Sequence, residues 1–406
     1  MYLTFAWRYF KAKKSTNAIN IIAWVTTGVI AFATCCQVLV LSVFNGFEGL
    51  VKSLYSSFYT DIRIVPAQGK TFVLSKEQVA LLQQQPFVEN LSMEAEEKAL
   101  LKNKNYDAQV AILLKGVDAN YEKVSGVAQK TTQGKFNTGT AGSPFIIAGA
   151  GVQNAVDINV DPALPVTALT AILPKRTSSI DPLESVSEGD ITASGVFMIQ
   201  QEFDDRYAIT NIDFVKQQLG FGADEYSAVE IKLKPGADME AGKTRLAALL
   251  GSSFNVQTRY QQNTNLYNTM RLEKWAIYAV LTLILIIAAF NMVSALTMLV
   301  LEKRKDISVL QSLGAGSRDI QRIFLSEGLL LGAIGTVAGI TLAIIICLLQ
   351  LKYKFIKLTG GSFLIDYFPV KLVATDFLLV SATAFFIAFL AAWFPALKAS
   401  KQHFEL

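Results

Sequence analysis

The stretch AINIIAWVTTGVIAFATCCQVLVLSVF, residues 18–44, contains no charged side chain. Three later stretches, at 275–301, 323–351 and 377–397, are similarly apolar, and Glu327 is the only charged residue within them. A helix of about 20 apolar residues crosses the hydrocarbon core of a bilayer, which is about 30 Å thick. The whole chain is 52% apolar, with a mean hydropathy of +0.37. The sequence therefore predicts a membrane protein with four transmembrane α-helices.

The predicted helices divide the chain into a defined order of segments. These are an amphipathic cytoplasmic helix at 1–17, transmembrane helix 1 at 18–44, a large domain at 46–272, transmembrane helix 2 at 275–301, a short cytoplasmic helical segment at 302–321, transmembrane helix 3 at 323–351, a loop at 352–374, transmembrane helix 4 at 375–397 and a tail at 398–406. Beyond helix 1, apolar residues recur at helical intervals of three or four, at Val43, Phe47, Leu50, Leu54 and Phe58. This stripe predicts that helix 1 continues as a stalk to about residue 60.

The large domain shows two kinds of periodicity. Stretches typical of strands lie at 61–65, 108–114, 166–172, 191–198, 228–234 and 255–259, and stretches typical of helices lie at 75–84, 211–218 and 239–250. Their irregular alternation predicts an α+β domain inserted between transmembrane helices 1 and 2. The segment 162–189 contains four prolines and many polar residues, which predicts a long exposed loop.

The distribution of basic residues indicates the orientation in the membrane. Four spans place both termini on one side, and the basic residues before helix 1, after helix 2 and after helix 4 favour the cytoplasm for that side. The lysines of the loop at 352–374 oppose this bias. We expect a multi-pass membrane protein with cytoplasmic termini and a large domain outside the cytoplasm.

Several function classes lack the residues that they need. The only histidine is His403, so serine–histidine and cysteine–histidine catalytic systems and multi-histidine metal sites are excluded. The sequence Gly242-Lys243-Thr244 resembles the end of a phosphate-binding loop, but Ala237 stands where that loop requires its first glycine. The net charge of +4 gives no indication of nucleic-acid binding. We therefore predict neither an enzyme nor a chain that binds a metal or cofactor.

The membrane helices lack the groups that drive ion-coupled transport. No acidic or basic residue lies near the middle of any span. In helix 3, Gly328 and Gly332, followed by Gly335 and Gly339, form two pairs of small residues four positions apart, which let helices approach closely. If this protein moves a substrate, the energy comes from a partner.

The cytoplasmic segment 302–321 is the candidate contact for that partner. It combines a polar start with apolar residues at helical spacing and a small-residue break, and the residues concerned are Glu302, Lys303, Arg304, Ile307, Leu310, Leu313, Gly314 and Ala315. A short amphipathic helix can dock into a groove on a soluble protein. It can equally lie on the lipid surface, and the residues alone favour neither alternative. Ser317 is predicted to cap the following helix.

Three segments of the chain resemble the type VII ABC transporter permeases. Arg8-Tyr9-Phe10, together with the stretch from Val40 to Asn45-Gly46-Phe47-Glu48, is similar to the start of the lipoprotein-releasing LolC/LolE branch. The stretch from Glu302-Lys303-Arg304 to Gly328 resembles the coupling helix and third span of the whole FtsX/MacB-like superfamily. Phe394-Pro395-Ala396 resembles the end of the fourth span.

The resemblance implies a permease that extracts lipoproteins from the outer leaflet of the inner membrane for transfer towards the outer membrane. Two permeases, of the same or of related chains, would pair with a cytoplasmic ABC ATPase dimer that binds ATP and Mg, and the coupling helix would sit in the ATPase. A lipoprotein would enter beside the stalk helix near Val38, Leu41, Phe44 and Phe47. A projecting loop containing Pro174, Lys175 and Arg176 would hold a soluble periplasmic lipoprotein carrier.

Two alternatives remain open at this level. A MacB- or FtsX-like mechanotransmitter would expel periplasmic substrates or activate a cell-wall hydrolase. A passive membrane-anchored scaffold would have no ATPase partner at all.

Overall fold

The computed structural model describes residues 17–161, 163, 167–175, 185–358 and 367–401, with side chains from residue 21 onward. The amphipathic helix predicted at 1–17 and the last residues of the tail, 402–406, lie outside this part. The helices are α1 (Asn17–Phe58), α2 (Lys76–Gln83), α3 (Tyr121–Val124), α4 (Ala150–Val156), α5 (Gln201–Asp204), α6 (Ile212–Leu219), α7 (Met239–Leu250), α8 (Arg259–Gln262), α9 (Thr264–Glu302), α10 (Arg304–Ser312), α11 (Ser317–Tyr353) and α12 (Ala374–Lys401), with a short 3-10 turn at Ala128–Lys130. The strands are β1 (Ile62–Pro66), β2 (Phe72–Val73), β3 (Val88–Asn103), β4 (Gln109–Val117), β5 (Thr131–Gly134), β6 (Gly139–Thr140), β7 (Ser143–Gly149), β8 (Ala168–Pro174), β9 (Val186–Phe197), β10 (Tyr207–Asn211), β11 (Glu225–Tyr226), β12 (Ala228–Leu233) and β13 (Phe254–Thr258).

The chain divides into two compact units, a large domain at residues 51–267 and a membrane unit made of the rest. Helices α1, α9, α11 and α12 are long and apolar enough to cross a membrane. The predicted fold class is confirmed, because the α+β domain is inserted between the first and second of these four helices. Helix α1 continues to Phe58, as its apolar stripe predicts, and its last turns from residue 51 onward belong to the large domain.

Close packing in the membrane unit depends on small residues of α11. A Cβ atom built on Gly328 would lie 2.4 Å from the Cβ of Ala392, and one built on Gly332 would lie 2.5 Å from the Cβ of Ala388. Gly335 and Gly339 instead approach α1, where the same construction meets Ile30 and the carbonyl oxygen of Ala31. The first glycine pair therefore packs against α12 and the second pair against α1.

One large sheet forms the centre of the inserted domain. Its strands follow the order β13-β1-β12-β3-β4-β10-β7-β9-β5, and β8 extends it by pairing with β3 and β9. Most neighbours are antiparallel, while β10 runs parallel to β4 and β9 runs parallel to β7. Helices α2, α4, α6 and α7 contact these strands, and their apolar side chains share one core with the sheet. That core includes Leu114, Val215 and Leu246, each fully buried.

The opposite face of the sheet carries a second, smaller core. Because side chains alternate between the two faces of a strand, Lys115 and Val117 of β4 point away from the face that Leu114 occupies. Tyr55 and Phe58 from the end of α1 cover Val117 and neighbouring residues of this second face. The end of α1 is thus part of the folded core of the large domain.

The predicted loop at 162–189 is partly wrong. Residues 168–174 form β8 and residues from 186 onward form β9, and these strands pair antiparallel. Leu169, Ala171 and Leu173 alternate with more exposed neighbours and are fully buried. Their alternation is the strand pattern that the sequence predicted at 166–172, so the loop was drawn too long at both ends.

Candidate functional site

Three polar side chains join three membrane helices where the chain enters and leaves the large domain. The ammonium group of Lys274, near the start of α9, lies 3.1 Å from both carboxylate oxygens of Asp376 in the first turn of α12. It also donates to the amide oxygen of Asn45 in α1 at 2.9 Å, and the Asn45 amide nitrogen donates to Asp376 at 2.6 Å. We call this group the clamp. It links α1, α9 and α12, and the Asp376 side chain is only 13% exposed.

A cavity of about 320 Å³ lies directly against the clamp. Its lining combines the two charged clamp residues with apolar and aromatic side chains, and the residues are Leu41, Lys274, Trp275, Tyr278, Thr375, Asp376 and Leu379. The hydroxyl groups of Tyr278 and Thr383 are hydrogen-bonded to each other nearby. A cavity with charge at one side and apolar walls at the other suits an amphiphilic molecule.

A short backbone segment crosses α1 beside the clamp. We call residues 367–371 the strap. The Lys371 N–H donates to the carbonyl oxygen of Ser42 at 2.9 Å, and the ring of Phe368 meets the ring of Phe47 edge-on at 5.7 Å. A Cβ atom built on Gly46 would lie 2.2 Å from the carbonyl oxygen of Pro369. The strap can therefore cross α1 at this height only because position 46 has no side chain.

Replacing Gly46 with alanine will displace the strap. The added methyl group would overlap a backbone oxygen, which cannot rotate away as a side chain can, and we expect a cost of about 1–3 kcal/mol. Hydrogen–deuterium exchange of the Lys371 amide should accelerate, because its bond to Ser42 is lost. Gly49→Ala is the matched control, since a Cβ there meets only the Lys371 side chain at 3.8 Å. Equal exchange in the two variants would contradict this account of the strap.

The residues predicted beside the stalk fall into two groups. Leu41 lines the cavity. Val38 is 3% exposed and packs in one cluster with Leu41, Ala343 and Val380, but it does not itself line the cavity. Phe44 and Phe47 are half-buried. The clamp was not predicted, because a lysine and an aspartate at helix ends are ordinary membrane-interface residues and nothing in the sequence pairs them.

The predicted carrier-binding residues lie at the end of β8. Pro174 is the last residue of that strand and is exposed, and the Lys175 N–H donates to the carbonyl oxygen of Ser185 at 2.7 Å. Both residues line an open groove of about 270 Å³ that also contains the Lys70–Glu97 ion pair. Arg176 lies outside the described residues.

The coupling segment contains helix α10, but its apolar residues do not share one exposed face. Ile307 is 1% exposed and packs with membrane-helix residues such as Leu299 and Phe324. Leu310 is half-buried, whereas Val309 is 50% and Leu313 78% exposed. Leu313 is separated from Ile307 because α10 ends at Ser312 and the chain then turns.

The ends of the coupling segment correct a second prediction. Glu302 ends α9, Arg304 begins α10, and Lys303 between them pairs with Asp306 at 2.8 Å. Gly314 has φ of 93°, a backbone conformation that favours glycine, and the half-buried Ala315 follows it. Gly316, rather than the predicted Ser317, is the residue that precedes α11. Its N–H donates to the Asp319 carboxylate at 3.1 Å.

Four membrane helices, an α+β domain inserted after the first and a short helix between the second and third define a polytopic permease-type protein. Residues 23–249 match the family model described as the MacB-like periplasmic core domain, and residues 278–404 match the FtsX-like permease C-terminal model. The chain therefore belongs to the FtsX/MacB-like family of ABC transporter permeases.

Relatives extend the similarity over almost the whole chain. The lipoprotein-releasing system transmembrane protein LolC of Xylella fastidiosa is 26% identical, with 97% of this chain and 95% of that protein covered. The corresponding LolE of Haemophilus influenzae is 25% identical, with 98% and 96% covered. The crystal structure of the periplasmic region of MacB from Actinobacillus actinomycetemcomitans aligns with 54% of this chain and 98% of its own, at 15% identity and a TM-score of 0.38. Membership of this family implies, in general terms, an ABC ATPase partner.

Proposed function

We propose that this chain is the permease subunit of an inner-membrane complex that extracts lipoproteins from the outer leaflet for transfer towards the outer membrane. The observation that carries the proposal is the similarity to lipoprotein-releasing relatives over 97–98% of the chain. In this proposal both termini are cytoplasmic and the large domain is periplasmic. The second permease of the complex is the same chain or a related one.

Extraction of a lipoprotein requires a source of free energy and a site that shields its acyl chain from water. Each buried CH₂ group of an acyl chain contributes about 0.8 kcal/mol to membrane binding, so withdrawing one acyl chain costs on the order of 10 kcal/mol. In the proposed mechanism, ATP and Mg bound by the partner ATPase supply this energy. The apolar walls of the cavity, including Leu41 and Leu379, would shelter part of a chain, while Lys274 and Asp376 meet polar groups near the lipid anchor.

The exposed pair Val309 and Leu313 is the candidate ATPase contact. Val309 lies in the last turn of α10, and Leu313 directly follows the helix. Without a partner, both apolar side chains face water. Ile307 supports this contact indirectly, because it fixes α10 against the membrane helices. Release to a soluble carrier at Pro174 and Lys175 would complete the cycle.

Changing both exposed residues, as Val309→Asp with Leu313→Asp, should uncouple the complex. A tenfold loss of affinity corresponds to about 1.4 kcal/mol. Two carboxylates placed in an apolar contact cost more than that, so we expect copurified ATPase to fall at least about tenfold. In cells depleted of the native chain, this variant should leave lipoproteins in the inner membrane, as measured by membrane fractionation.

Leu272→Asp is the matched control, because it places the same charge on a leucine of α9 that is 71% exposed. Retention of the ATPase by the double variant would refute the docking surface. Unchanged lipoprotein distribution after depletion of the chain would refute lipoprotein extraction, whatever the ATPase result.

The runner-up is a MacB- or FtsX-like mechanotransmitter. It is favoured by the match to the MacB-like periplasmic core and by the unbroken helix α1 that ends inside the large-domain core. Copurification of an outer-membrane channel or a cell-wall hydrolase, in place of a lipoprotein carrier, would select this alternative.

A further inference from the structure

A row of charged side chains crosses the second face of the large-domain sheet. It runs over four adjacent strands and consists of Arg63 in β1, Glu230 in β12, Glu94 and Glu96 in β3, and Lys115 in β4. The Arg63 guanidinium donates to Glu94 at 2.6 Å and to Glu96 at 3.2 Å. The Lys115 ammonium lies 2.7 Å from Glu230 and 3.3 Å from Glu94.

This row is buried beneath aromatic side chains. The side chains of Lys115, Glu94 and Glu230 are 1–2% exposed, and those of Arg63 and Glu96, towards one end of the row, are 19% and 18% exposed. The Lys115 nitrogen lies 5.1 Å from the ring centre of Phe58, at the end of α1, and 5.2 Å from that of Tyr121. The last turn of α1 therefore packs directly on the charged row.

The charges of the row do not balance. Three carboxylates face two cations, so full ionisation leaves one negative charge in excess. A buried charge without a partner is so costly that the group usually becomes neutral instead. The other titratable groups close to the row are the phenols of Tyr59, Tyr121 and Tyr207, with Glu202 beside Tyr59. None of these groups is a cation.

The contacts identify the carboxyl that becomes neutral. Glu94 touches both cations, and Glu230 has the ammonium of Lys115 at 2.7 Å, whereas Glu96 shares Arg63 with Glu94 at the longer distance of 3.2 Å. Burial and the neighbouring Glu94 raise the pKa of Glu96 to about 7. Burial acts in the same direction on Glu94, but Arg63 and Lys115 lower the pKa of that group to about 2. Burial raises the pKa of Glu230 to about 7 as well, against the opposing effect of Lys115. The contacts therefore decide between the two carboxyls, because Glu230 lies closer to its cation than Glu96 does.

We propose that the charged row binds one proton, held by the Glu96 carboxyl, and that this proton makes the attachment of the α1 end to the large domain sensitive to pH. Loss of the proton leaves an excess negative charge beneath Phe58 and Tyr59, which draws water into the row. The inference does not depend on lipoprotein extraction, because it concerns only the folded large domain of this chain.

The direction of the pH effect follows from the raised pKa of Glu96. The stability that the neutral carboxyl contributes is fully present below its unfolded pKa of 4.5 and is lost as pH rises through about 7. Between pH 5.5 and 8.5, the titration of Glu96 should increase the equilibrium constant for local unfolding of residues 51–60 about thirtyfold. Hydrogen–deuterium exchange of the full chain in detergent, corrected for the intrinsic pH dependence of exchange, measures this change.

Infrared difference spectra identify the protonated group directly. The wild-type chain should show the carbonyl band of a neutral carboxylic acid that titrates away near pH 7. Burial also raises the pKa of Asp204 to about 6, so the variants are made in an Asp204→Asn background. In that background Glu96→Gln should abolish both the band near pH 7 and the pH dependence of exchange. Glu97→Gln is the matched control and should retain both, because the neighbouring Glu97 pairs with the exposed Lys70.

Three results would overturn the proposal. The first is that the wild-type chain shows no titrating carbonyl band. The second is that the band survives in Glu96→Gln. The third is that the single change Glu230→Gln removes the band. The wild-type titration tests for the bound proton even if a variant does not fold.

Discussion

Replacing Lys115 with methionine will destabilise the large domain by about 3–5 kcal/mol, the usual cost of removing one partner from a buried ion pair. Methionine retains an apolar stem of similar length, so little packing is lost. The change leaves Glu94 and Glu230, both almost fully buried, without their shared cation. Protonation of these carboxyls at low pH should recover part of the loss, because neutral acids no longer need the cation.

Pulse proteolysis of the full chain in increasing urea would measure this loss. Lys70→Met is the matched control, since Lys70 pairs with Glu97 in a position where its side chain is 79% exposed. We expect the control to change the free energy of unfolding by less than about 1 kcal/mol. Similar losses in the two variants would show that the charged row contributes no more than a surface pair.

Replacing Gly332 with leucine will disrupt the packing of α11 against α12. Even a single methyl group at this position would overlap the Cβ of Ala388. One turn earlier, Gly328 is packed equally closely against Ala392, so α12 cannot shift there to make room. Overpacking of a well-packed interior costs about 1–3 kcal/mol, and leucine adds three more carbon atoms to the overlap. The two helices must therefore separate or shift along each other.

Thermal unfolding of the detergent-solubilised chain, followed by tryptophan fluorescence, would detect this disruption. All four tryptophans lie outside residues 51–267, so the signal reports on the membrane unit alone. Gly28→Leu is the matched control within a membrane helix, because a Cβ at Gly28 meets nothing within 4 Å. Equal losses of stability in both variants would refute the close-packing explanation.

The sequence predicted the parts of the fold that rest on composition and periodicity. Uncharged apolar stretches identified the four membrane helices, and capping and amphipathic patterns placed α2 and α7 within a residue or two of their observed bounds. The longest strand, β3, was missed. Its charged stretch of Glu94, Glu96, Glu97 and Lys98 has no apolar alternation, because two of these residues find their partners on other strands.

The candidate site was predictable only where one local segment forms it. Leu41 was named because the family resemblance implies lipoprotein entry beside the stalk. Asn45, Lys274 and Asp376 are separated by long stretches of sequence, and only the packing of three helices brings them together. A helix was predicted between the second and third spans and is observed as α10, whereas the exposure of its residues was predicted wrongly. Ile307 has the spacing of a docking residue, yet α9 and α11 bury it, and no pattern within the segment indicates that.

The sheet order has a consequence for the synthesis of the chain. Strand β1 emerges immediately after the first membrane helix, but the strands that pair with it among the described residues are β12 and β13, which are made last. At ordinary translation rates it waits roughly ten to thirty seconds for them. During that time an apolar strand with open edges lies next to a helix already committed to the bilayer, a state prone to wrong pairing. We therefore expect wrong pairing of residues 62–66 to compete with folding until the domain is nearly complete.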